Sequence, residues 1–286
     1  MMRFIRDTFD LFKRWMHGVT GPRLYMLLIG SLGGWYFLQH PIVTEGGTDL
    51  WYHLSGGRYL FEHHALPTTT YFSFLTPPRP WVDYYWLFQA LVYPIHASTG
   101  YYGLVILRAA LYLTTLGLIG WLCLLKARHT AVPRESLAGT TEHPSTLWWA
   151  AGLVACYSLC LIPRFLLLRP HAVTYLMIVA FVLILECYPK QAFLLPCLAL
   201  LWVNVHGITY PLMLGILGAY GLEALLSRLR GQPAQPKVWR QLFVPLGLSM
   251  LTIFLTPHGL KLLPVPFYPL EYASRAIEEL QPLPFE

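Results

Sequence analysis

Five residues between positions 42 and 100 carry the chemistry of this chain: Asp49, His53, His63, His64 and Asp83, set among aromatic residues. A carboxylate in such a setting can accept a proton from a hydroxyl or bind a cation, and histidines can share a proton or a metal. Each has a plain structural alternative. Asp49 and Asp83 each precede a predicted helix, where a short acidic side chain satisfies free amides. His63 and His64 are adjacent and project differently, which suits a solvated interfacial patch as well as a metal site.

The elements that must hold these residues are hydrophobic. The chain has 286 residues, of which 56% are apolar and 12% charged, with a mean hydropathy of +0.49. That composition belongs to a polytopic helical membrane protein. Apolar runs approaching the roughly 20 residues needed to cross a bilayer lie at 24–41, 101–125, 146–163, 171–188, 191–206, 208–227 and 240–257. The expectation is an all-α fold of about seven transmembrane helices. Most Lys and Arg residues fall in alternate segments that include the N-terminus, so the positive-inside rule puts the N-terminus in the cytoplasm and the 42–100 loop outside. Within that loop, 49–64 reads as an amphipathic interfacial helix in which Gly56 and Gly57 allow a break, and Asp83 to His96 as a second helix leading through Gly100 into the next span.

Residues 1–23 read as a cytoplasmic amphipathic segment and 258–286 as an outer C-terminal segment, with 1–286 forming one membrane domain. No cleavable signal peptide is expected ahead of the first span. The formal net charge of +6 is assigned to membrane topology, with no nucleic-acid partner. Cys123, Cys156, Cys160, Cys187 and Cys197 all lie in predicted spans and read as packing residues. Arg108 falls inside the second span, where a cation must find backbone carbonyls, a carboxylate or a bound phosphate. Asn204 reads as a bond between helices.

Motifs along the chain add a family. TDLWYHLSGGRYLFEHHALPTTTYFSF at 48–74, RPWVDYYWLFQAL at 79–91, LRPH at 168–171, WVNVHG at 202–207 and TPHG at 256–259 together resemble GT-C-type glycosyltransferases of bacteria. The resemblance runs from about residue 40 onward and looks like the front part of a longer relative. It implies a membrane enzyme moving a sugar from a polyprenyl-phosphate donor to an acceptor on the outer face of the bacterial inner membrane. On that pattern Asp49, just past the first span, is the catalytic match and Asp83 the second acidic candidate. The chain departs from the pattern at Gly47, Tyr84, Tyr85 and Thr256, where a carboxylate, a His-Glu pair and an Asn would be expected.

The resemblance also suggests how substrate would be held. A lipid phosphate stays at headgroup height while its sugar protrudes, so a carboxylate there meets an acceptor hydroxyl. His53, Arg58, Arg164, Arg169, His171 and His206 are the candidate binding residues, the arginines because a guanidinium matches phosphate oxygens in two places. A divalent metal is a possible further cofactor, membrane lipids and a lipid-linked sugar the expected partners. The alternative from a different class is a non-catalytic GT-C-derived subunit whose outer loop binds a lipid, a partner protein or a partner membrane subunit. Aromatic residues suit sugar stacking, the interface belt and protein contacts equally.

Overall fold

The computed structural model describes residues 21–42, 49–71, 79–129, 144–231 and 236–267. Residues 1–20 of the predicted N-terminal segment, Gly47, residues 130–143 and most of the C-terminal segment lie outside them, while Gly21–Arg23, expected in the N-terminal segment, begin the first helix. The described residues are helical: α1 (Gly21–Gln39), α2 (Asp49–His63), α3 (Trp86–His129), α4 (Pro144–Phe165), α5 (His171–Cys187), α6 (Leu195–Val205), α7 (Tyr210–Leu229) and α8 (Pro236–Leu251), joined in places by 3-10 turns. Among them the sole extended pairing is one antiparallel bridge between Thr69 and Pro80.

Each of the seven apolar runs is helical over nearly all its length. Among the described residues three helical stretches are long and apolar enough to cross a membrane: Trp86–Lys126, Leu147–Phe165 and Gly207–Leu229. Leu242–Leu255 and Gly259–Phe267, bent by 94°, make a fourth if they form one span. The remaining apolar helices are shorter or, in α1, diluted by Arg23 and several glycines.

The chain divides into two compact units, Met1–Leu50 with Ile95–Cys187 and Trp51–Pro94 with Tyr188–Glu286. In the first, α1 packs on α4, and Phe37, Tyr112, Ala151, Phe165 and Ala172 are fully buried. Gly33 lets α1 come close to Tyr112 of α3. A Cβ there would lie 2.5 Å from the Tyr112 hydroxyl oxygen, so only glycine lets α1 reach the ring. Replacing Gly33 with leucine is expected to cost about 1–3 kcal/mol of stability through overpacking, read as an earlier transition in a denaturing-detergent titration.

Arg108 ties the first unit together. Its side chain is fully buried. One terminal nitrogen donates to the carbonyls of Pro41 (3.2 Å) and Leu166 (2.7 Å), the other to those of Phe37 (2.6 Å) and His40 (2.6 Å). The Phe37 ring lies 5.4 Å from the guanidinium carbon. Of the partners the sequence left open, backbone carbonyls are those the structure supplies. They lie at or just beyond the C-terminal ends of α1 and α4, and each helix end carries roughly half a negative charge. Two ends therefore balance one cation.

In the second unit α8 packs against α6 and the 3-10 turn Pro189–Leu194. Leu195, Ala199, Trp202, Met213 and Leu217 are buried there. The break that Gly56 and Gly57 would allow is not made, and α2 runs through both. The glycines serve packing. A Cβ on Gly56 would sit 2.0 Å from the Gln89 side-chain oxygen, and one on Gly57 2.4 Å from Tyr93 Cβ and 2.5 Å from the Gln89 carbonyl oxygen. In α3 the helix is interrupted at Gly100, where φ is 65° and ψ −152°, a conformation open to glycine.

Candidate functional site

Asp83 sits at the end of a short antiparallel pairing. Thr70 N–H donates to the Arg79 carbonyl (2.9 Å) and Trp81 N–H to the Thr68 carbonyl (2.8 Å), delivering the chain to Val82 and Asp83 just before α3 begins. Two distant segments then grip the same stretch. Gly207 N–H donates to the Tyr84 carbonyl (2.9 Å), and the His258 ring Nε2 donates to the main-chain carbonyl of Asp83 (3.0 Å). The Trp86 indole donates to Asn204 Oδ1 (3.0 Å), joining α3 to α6 as a bond between helices. A Cβ on Gly207 would stand 3.2 Å from Tyr84 Cβ, so the approach needs a small residue.

The Asp83 carboxyl is 1% exposed. Its two oxygens are treated differently. Oδ1 accepts from the Gln89 amide (3.0 Å), the Tyr85 N–H (3.3 Å) and the Tyr52 hydroxyl (3.4 Å). Oδ2 is buried and meets no hydrogen-bond partner among the described residues. The capping role and the functional role foreseen for Asp83 thus fall on different atoms: Oδ1 serves the first turn of α3, and Oδ2 is left for something else.

Burial is the largest influence on this group and lifts its pKa from 3.8 to about 6, against the lowering effect of the Tyr85, Tyr52 and Gln89 donors. A carboxyl in that range can take or give a proton near neutrality. Burial, with the Asp83 charge second, pushes the phenols of Tyr52 and Tyr71 upward, so both stay protonated.

Aromatic rings wall this region. His53 is 2% exposed, with ring centres 5.1 Å from Tyr85 and 5.0 Å from Phe88, both edge-on. His206 lies 5.4 Å from Tyr85, and Trp81 stands edge-on to Tyr52 at 6.2 Å. Three of the sequence candidates, His53, Asp83 and His206, therefore come together in the second unit. Arg58 does not join them: it is exposed and pairs with Glu62 one turn along α2 (2.7 Å). His63 stacks on Tyr59 at 4.1 Å and is exposed, and His64 ends α2 with a φ of 51°. Among the described residues no three His, Cys, Asp or Glu side chains gather as a metal site.

The first unit holds a separate cluster. Asp49 opens α2, and its Oδ2 lies 2.9 Å from Arg169 Nε. Arg169 comes from the LRPH motif, in which Leu168 is buried and Pro170 leads into α5. His171 Nε2 donates to the Arg164 carbonyl (2.8 Å), closing the end of α4 onto the start of α5. Arg169 thus pairs with Asp49, while Arg164 meets His171 through its main-chain carbonyl.

Sequence reasoning left out Gln89, Tyr52, Tyr85 and His258 as working parts. A lone amide in the apolar stretch WLFQALV was the available signal for Gln89, and the TPHG motif for His258. Nothing matches this chain among family models, curated proteins or solved structures.

Proposed function

We propose that this protein is an integral membrane glycosyltransferase of the GT-C kind, moving a sugar from a polyprenyl-phosphate donor to an acceptor hydroxyl, with Asp83 as the general base. In this reading the seven helical runs are the spans, the N-terminus is cytoplasmic and the site faces outward from a bacterial inner membrane. One observation carries it. Tyr52 of the first motif donates to the buried Asp83 carboxyl, Gly207 of WVNVHG and His258 of TPHG hold the main chain at Tyr84 and Asp83, and Oδ2 of that carboxyl meets no partner among the described residues. Such a group is costly to maintain without a ligand to meet.

The step balances simply. The acceptor O–H proton passes to Asp83 Oδ2, the acceptor oxygen bonds to the anomeric carbon, and the bond from that carbon to the phosphate oxygen breaks, its electron pair leaving with polyprenyl phosphate. Asp83 suits the base role better than Asp49, whose carboxylate is already held by Arg169.

A second reading, a non-catalytic membrane subunit, draws on α7. The stretch Gly207–Leu229 is apolar along its length, yet little of it is buried within the chain. Native mass spectrometry of gently purified protein separates the two. A bound polyprenyl-phosphate species is expected; bulk phospholipids alone with a stoichiometric membrane partner would replace the enzyme with the subunit.

A further inference from the structure

Resting on the reading of Asp83 as a proton acceptor, we propose that Gln89 is a positioning residue which, given room by Gly56, occupies Oδ1 and so confines proton exchange to Oδ2. Gln89 is 1% exposed and springs from the first turn of α3, its own N–H bonded to the Tyr85 carbonyl at 3.0 Å. At 3.0 Å its amide is the nearest of the three donors on Oδ1. An sp² oxygen has two lone pairs, and three donors leave it no capacity for a proton.

The far end of the same amide explains a glycine. A Cβ on Gly56 would fall 2.0 Å from the Gln89 Oε1 and 2.5 Å from its Cδ. Any larger residue there must push the amide off its present position. The SGG turn of α2 is therefore part of the same device as the carboxyl, though 27 positions earlier in the chain.

A neutral donor is the right type for this task. An Arg or Lys at 89 would hold the carboxylate charged far below neutrality, whereas an amide orients it and leaves it able to take a proton. The titratable groups that face Asp83 are Tyr52 from α2, Tyr71 and Tyr84 from the segment between α2 and α3, and His258, which meets its main-chain carbonyl.

Infrared difference titration of the purified full-length chain tests this without any substrate. The protonated-carboxyl band absent from Asp83→Asn identifies the group, and in the wild type it should vanish as pH rises through about 6. Gln89→Leu should move that midpoint upward by on the order of one unit, since a donor to the charged form is lost. Gly56→Ala should shift it the same way with Gln89 intact, and Gln89→Glu, which keeps the shape, should shift it further through like-charge repulsion. A midpoint unmoved in both Gln89→Leu and Gly56→Ala overturns the role of Gln89. A band that never titrates overturns instead the reading of Asp83 on which this rests. Gly56→Ala and Gln89→Glu carry the test if Gln89→Leu does not fold.

Discussion

Replacing Arg108 with methionine is expected to lower the stability of the protein by about 3–5 kcal/mol, the largest effect of any single substitution in the first unit. The guanidinium satisfies four carbonyls at the ends of α1 and α4, and methionine fills the space without offering a donor. Those carbonyls have no further turn of their own helix to bond, and inside a bilayer no water replaces the lost donors. Lysine should rescue only part of the loss, because one ammonium is a point charge that cannot reach across the span the planar fork covers. The measurement is an unfolding titration in mixed micelles. Wild-type stability in Arg108→Met would mean the four contacts contribute nothing net.

The second large effect concerns Asp83. Asp83→Asn should reduce transfer by about 10²–10⁴-fold, the usual contribution of a positioned base, with KM little changed. Stability should respond oppositely, and with a pH dependence of fixed sign. The folded-state pKa, about 6, lies above the ordinary 3.8, so folding favours the protonated form. That contribution is complete below about pH 4 and is lost as pH rises through about 6, a difference on the order of 3 kcal/mol. Wild-type protein should therefore be less stable at neutral pH than in mild acid on account of this group. Asp83→Asn, which cannot ionise, should lose that slope. Identical pH–stability curves for the two would show that the carboxyl titrates in its ordinary range.

These two residues illustrate unequal legibility. Arg108 was conspicuous as a cation inside an apolar run, and physics limited its partners to carbonyls, a carboxylate or a phosphate. Which of these it meets depended on where α1 and α4 end in space. Asp83 was visible as an acid in an aromatic loop, but burial and the saturation of one oxygen arise from Gln89 and Tyr52, and its backbone is held by His258, 175 positions away. Asp49 read as the stronger candidate because the resemblance matches it to a catalytic acid just past the first run; only tertiary proximity brings Arg169 against it.

By itself the sequence determined the helical, strongly apolar character of the chain and the placement of its apolar helices. Those properties follow from composition and from apolar runs bounded by Pro, Gly and charge, which act locally. Only the tertiary structure decided that Gly56 and Gly57 are sites of close packing within a continuous helix, that Arg58 pairs with Glu62, and that Gly207 and His258 hold the main chain beside the Asp83 carboxyl. Burial, the orphaning of an oxygen and the resulting shift in proton affinity depend on neighbours distant in sequence, which local patterns do not encode.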